Sequence, residues 1–188
     1  MHRKRYPKEV VLKDCQEVTL RTVESGDEAE LARFYETMQL SFRWFLKEDP
    51  TQPETIRKWI DNQGKGKAFS IVAVVGDKIA GHASLLMRRY GGRKHVARLR
   101  VMVAPDYRSK GLGTWMVFDL TKRAMEMGLE KLRTDFVVGV EDRAIAGVKK
   151  MGFVREALLK DYIRDKDGNY HDYQIMIKDL QQEIGRAH

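Results

Sequence analysis

At 188 residues, with 43% hydrophobic and 33% charged side chains, the chain has the size and balance of one soluble globular domain. No apolar run approaches the ~20 residues that a membrane-spanning helix needs, and a single cysteine, Cys15, excludes an internal disulfide and a cysteine-rich metal site. The net charge of +8 suits nucleic acid, an acidic partner or a polyanionic ligand, but the basic residues are scattered and no nucleic-acid-binding signature accompanies them, so neither nucleic acid nor membrane is an expected partner.

The chain opens on a basic stretch, 2–8, expected to be a solvated head without the apolar segment of a signal peptide, which makes the cytoplasm the expected location. Residues 10–12 make a short candidate strand. Residues 17–23 alternate and are rich in β-branched side chains, which predicts a strand. Ser25, Gly26 and Asp27 offer an N-cap for a helix whose apolar face is Leu31, Phe34, Tyr35 and Met38. Residues 41–50, with Phe42, Trp44 and Phe45, are aromatic and irregular, either core plugs or a substrate wall. Pro53 suits a first helical position before Ile56, Trp59 and Ile60. Strands over 68–75 and 78–87 flank Gly76-Asp77, a strong hairpin signal. A turn over 89–93 leads to a strand over 95–103.

After that strand come Ala104, Pro105, Asp106, Tyr107, Arg108, Ser109, Lys110, Gly111, Leu112, Gly113 and Thr114. Pro105 ends strand pairing because it has no N–H. Leu112, Met116, Leu120, Ala124 and Met127 then fall at helical spacing. Gly111 and Gly113 leave room for a ligand to approach the backbone at a helix start, where free N–H groups and the dipole favour an anion, and Arg108 and Lys110 add charge. The spacing is neither that of a P-loop nor that of a dinucleotide fingerprint. Gly128 stands where a helix-terminating glycine belongs. A strand over 130–138, a helix over 142–151 closed by Gly152, and two strands over 153–163 and 170–177 around Asp167-Gly168-Asn169 complete the chain. This order predicts an α/β fold with a mixed sheet of about seven strands and helices on both faces. The expected layout is a basic N-terminal extension over 1–16, one domain over 17–180 and a tail over 181–188. Edge strands in the C-terminal half could pair in a homodimer.

Arg108, Gly111 and Gly113 match Arg/Gln-x-x-Gly-x-Gly/Ala, and this resembles the acetyl-CoA pyrophosphate loop of the GCN5-related N-acetyltransferases (GNAT). Ala144, Lys150, Gly152 and Phe153 fit a second segment of that family, and the element order is similar over nearly the whole chain. The resemblance implies a GNAT fold in which strands 95–103 and 130–138 are parallel and splay apart at the cofactor cleft. It implies acetyl-CoA as cosubstrate and direct acetyl transfer to a primary amine on a small molecule, peptide or protein lysine. Val101, Met102 and Val103 would bond the pantetheine arm and thioester through their backbone. Arg108, Ser109, Lys110, Gly111, Leu112, Gly113 and Thr114 would hold the diphosphate. Glu141 falls where the family's pantetheine-contacting Asn stands, and Val148 where a thiolate-protonating Tyr is common. The strand before the loop offers Arg98 and Arg100 rather than an acid.

The catalytic assignment therefore stays open, as does the alternative of a CoA-binding sensor that has lost turnover. His95 is either a proton acceptor or an idle strand-end side chain. Asp135 either lines the cleft or lies on the surface. Glu141 either meets CoA or simply favours a helix dipole. Tyr162 and Tyr170 are either substitute proton donors or core tyrosines. Tyr107 is a packing or adenine-side residue, His82 structural and Cys15 inert. His82, His95 and His171 lack metal-ligand spacing, and no metal is expected.

Overall fold

A computed structural model describes residues 5–181. The strands are β1 (Lys8–Val11), β2 (Glu17–Thr22), β3 (Ala68–Val75), β4 (Lys78–Leu86), β5 (Val96–Val103), β6 (Lys131–Val137), β7 (Val154–Arg164) and β8 (Tyr170–Asp179). They form one eight-stranded sheet in the order β1-β2-β3-β4-β5-β6-β8-β7. Helices are α1 (Glu28–Glu36), α2 (Leu40–Arg43), α3 (Pro53–Asp61), α4 (Leu112–Glu126) and α5 (Asp142–Lys150). Every strand pairing is antiparallel except β5 with β6. No described helix is long and apolar enough to cross a membrane.

The sheet is a two-faced layer because its strands alternate. On one face Leu112, Met116, Leu120 and Ala124 of α4 pack on Ala97, Leu99 and Leu132. On the other, Leu31, Phe34, Tyr35, Ile56 and Ile60 of α1 and α3 pack on Val72 and Met102. Full burial of each large apolar side chain contributes roughly 1.5–3 kcal/mol. Met127, expected in the α4 stripe, is the exposed C-cap residue, since Gly128 ends the helix at φ +74°. Gly81 lets α4 approach β4, because a Cβ there would lie 2.8 Å from Met116 Sδ.

The head of the chain differs from its expectation. From Arg5 onward it is docked: β1 pairs with β2, and Arg5, Tyr6 and Lys8 all bond Asp119. Asp119 is fully buried on α4, and a buried carboxylate needs charged or hydrogen-bonding partners. The short strand expected at 10–12 is thus β1, the eighth strand, and residues 5–16 pack as part of the domain. Residues 1–4 and the tail beyond Gln181 lie outside the described residues.

β5 and β6 pair in register only at Val96↔Lys131, Ala97↔Leu132 and Arg98↔Arg133. Beyond Arg98, β5 stays with β4 while β6 continues on β8. The parallel pair therefore splays toward its C-terminal ends, and α4 and α5 start at the mouth of the opening.

Candidate active site

The loop after β5 bends twice. Pro105–Tyr107 makes a short 3-10 turn, and Ser109 and Gly111 take φ values of +62° and +91° that swing the chain into α4. Among the described residues, no protein acceptor takes the main-chain N–H groups of residues 109–114; the next, Trp115, bonds the Gly111 carbonyl. Such amides in sequence, at the positive end of a 15-residue helix, make a cup-shaped bend that favours an anion. The cup is braced from outside, where the Lys13 N–H donates to the Lys110 carbonyl (3.0 Å) and Lys110 Nζ pairs with Asp14 (2.9 Å). Arg108 crosses the mouth, its Nε donating to the Val103 carbonyl (3.1 Å) and its guanidinium resting on Phe42. Tyr107 packs against both cores.

The Ala104 N–H donates to the Ala80 carbonyl of β4 (2.9 Å). Main-chain direction alternates along a strand, so Met102 and Arg100 also turn theirs to β4, whereas Val103 and Val101, beyond the last pairing with β6, turn theirs into the opening. This differs from the expectation for Met102, whose side chain is buried under α1 and whose backbone belongs to the β4 ladder.

On the opposite wall, the Val138 N–H donates to Asp172 of β8, so the Val137 N–H points into the opening. Glu141 Oε2 accepts it at 2.7 Å. Glu141 is the N-cap residue of α5, but its carboxyl turns back to β6 rather than capping the helix. Burial pushes its pKa up from the ordinary 4.5 to about 7, against the lowering effect of the Val137 N–H and of Arg98.

The face beside the opening is polar. Asp135 has a side chain 2% exposed and is held by Arg133 (2.7 Å), Arg98 (3.2 Å) and the Tyr173 hydroxyl (3.3 Å). A carboxylate so committed is no free base. Tyr173, not singled out by sequence, also accepts from Arg98 and stacks on Tyr162. Its hydroxyl pKa is pushed up to about 12 by burial, then by Asp135. The signal for it was alternation, because Tyr173 shares a strand face with Ile175 and Ile177. Tyr162 and Tyr170 are mostly exposed, the latter against Arg164. Trp44 Nε1 donates to the Arg164 carbonyl and Phe45 meets His171, so the aromatic segment after α2 roofs this face.

Other candidates fall elsewhere. His95 precedes β5 at the closed end of the pair, where its carbonyl accepts from Glu130, six residues or about 20 Å of strand from Val101. His82 is buried between Tyr35 Oη (2.7 Å) and Ser84 Oγ (3.3 Å). Burial, then Arg100, lowers its pKa to about 3. Val148 is buried in the α5 core and Cys15 is exposed. A groove of about 570 Å³ lies apart from the opening, between the later turns of α4 and the end of α5, by Thr121, Lys122, Lys150 and Lys178.

The model of the acetyltransferase (GNAT) family matches residues 31–153, and the chain belongs to that family. No curated protein matches. Among solved structures, a GNAT-family acetyltransferase from Streptococcus pneumoniae superposes with a TM-score of 0.75 at 22% identity, over 86% of this chain and 98% of that one. A ribosomal-protein-alanine N-acetyltransferase from Brucella melitensis gives 0.75 at 23%, over 85% and 98%. The GNAT domain of S. lividans PAT gives 0.77 at 14%, over 95% and 99%. At these identities the likeness is one of fold.

Proposed function

We propose that this acetyltransferase moves the acetyl group of acetyl-CoA directly to a primary amine, with no covalent enzyme intermediate. The observation that carries the reading is the run of unbonded amides at residues 109–114, at the mouth of the splayed pair. These amides, with Arg108, hold the diphosphate. Val101 and Val103 offer strand-like main-chain bonds to the pantetheine arm. The Val101 N–H donates to the thioester oxygen and stabilises the oxyanion that forms when the amine nitrogen attacks the carbonyl carbon.

Glu141 handles the proton. As carboxylate it takes one from the attacking nitrogen, directly or through water, while the C–S bond breaks. As carboxylic acid it returns that proton to the departing thiolate. A carboxyl that titrates near 7 is suited to both steps. This makes up for the valine at position 148, where no donor stands. The products are the acetylated amine and free CoA.

The test is release of CoA thiol from acetyl-CoA with a panel of amines, alongside calorimetry of acetyl-CoA binding. Saturable turnover with at least one amine is expected. Tight acetyl-CoA binding with no turnover of any amine would instead mark a sensor module.

A further inference from the structure

The polar face beside the opening holds a positive charge that the fold leaves unmatched. β5 sends Arg98 and Arg100 to this face and β6 sends Arg133 and Asp135. Asp135 is already bonded by Arg98 and Arg133. Arg100 stands two residues past Arg98, the last β5 residue paired with β6, and next to Val101. Among the described residues its side chain has no hydrogen bond and no ion pair, and its Nε is buried without an acceptor. The Trp59 ring holds it in place, 4.9 Å from Cζ. Neighbours offer no free counter-charge: the Tyr35 hydroxyl is buried and pushed well above its usual range, His82 is neutral, and Asp27, the acid that acts on His82, is held by Arg21 at 2.7 Å. Glu48, the acid nearest Trp59 in bonding terms, is taken by Lys58 and the indole N–H.

A half-buried guanidinium without a partner is costly, whereas one stacked on an indole keeps a planar fork of donors ready for a carboxylate. We infer that the acceptor is a free amino acid, bound by its carboxylate to Arg100 with its amine toward the opening. This rests on the acetyl-transfer reading. Strand rise is about 3.3 Å per residue, so Arg100 and the Val101 N–H leave the same short stretch of β5, and a small amino acid whose carboxylate meets the guanidinium has its amine turned toward a thioester at Val101. The same positive charge favours the neutral, attacking form of the amine. Cationic acceptors such as polyamines meet three guanidinium groups and one carboxylate here, and are repelled.

The test compares kcat/KM for free amino acids, their carboxamides and spermidine in the wild type, Arg100→Gln and Arg100→Lys. Calorimetric titration of each protein with acetyl-CoA, and of its CoA complex with the amino acids, runs alongside. The expected result is a preference for free acids over amides that falls about tenfold to a hundredfold in Arg100→Gln, through KM, and returns partly in Arg100→Lys. Turnover preferring amides or spermidine, or a preference that Arg100→Gln does not change, overturns the inference and leaves acetyl transfer standing. So does acetyl-CoA binding with no amino acid bound or consumed. A protein that binds no acetyl-CoA fails at the earlier reading, and both fall together.

Discussion

Gly113→Ala separates the two roles a loop glycine can have. Gly113 is the second residue of α4, and an added Cβ would meet only Val103 Cγ2, at 3.6 Å, an ordinary contact. Gly111 is a poorer probe, because its φ of +91° strains any other residue. Alanine at 113 therefore costs the fold nothing and removes backbone freedom from the unfolded chain, a gain of roughly 0.4–1 kcal/mol. For a chain of this size that is about 1–4 °C in Tm. In the proposed binding mode the same methyl stands among the amides that hold the diphosphate. Displacing an anion from one charge-assisted hydrogen bond costs about 1.5–3 kcal/mol, or roughly tenfold to a hundredfold in Kd. Thermal unfolding and calorimetry with acetyl-CoA on one preparation give both numbers. A variant at least as stable as the wild type that binds acetyl-CoA with unchanged Kd would refute the cup.

Glu141→Gln keeps an oxygen for the Val137 N–H and removes the titration, so the rising limb of kcat/KM near pH 7 should vanish from a pH–rate profile, leaving only the limb of the amine. In the folded state this carboxyl titrates at about 7 rather than 4.5, so its stabilising contribution is complete below about pH 4.5 and is lost as pH rises through 7. Glu141→Gln should accordingly gain in Tm on the wild type between pH 5 and pH 8; a constant difference would contradict this. His82 has the opposite sign, since its pKa is lowered to about 3: its contribution is present above about 6.5 and lost as pH falls. Stability of His82→Gln should fall less than that of the wild type between pH 6.5 and 4.5, measured by urea unfolding. Asp119→Ala should cost about 2–3 kcal/mol, below the full range for a broken buried pair because Arg5 and Lys8 can turn to water, and should speed hydrogen exchange in β1. Unchanged β1 exchange would mean that the head is held by other contacts.

Local signals carried much of the fold into the sequence. Gly76-Asp77 forces the β3–β4 hairpin, Gly128 ends α4, and the α1 and α3 faces bury where their spacing puts them. The bend into α4 was legible because Pro105 and Gly111 act through local backbone geometry. What failed to show depends on partners distant in sequence. The basic head looked solvated because Asp119, more than a hundred residues later, is the charge that binds it. Met102 and Val101 differ only in main-chain phase, which the Ala104–Ala80 bond sets. His95 could be placed at the closed or open end of the pair only after the register was known. Asp135, Tyr173 and Arg98 come from three strands, so their cluster has no linear signature.

The amide cup is tested most directly by amide chemical shifts of the 15N-labelled protein during titration with acetyl-CoA. Large shifts at residues 109–114, saturating at one equivalent together with Val101 and Val103, are the expected result. Saturable binding that leaves those amides unmoved and shifts others would place coenzyme A elsewhere and contradict the assignment.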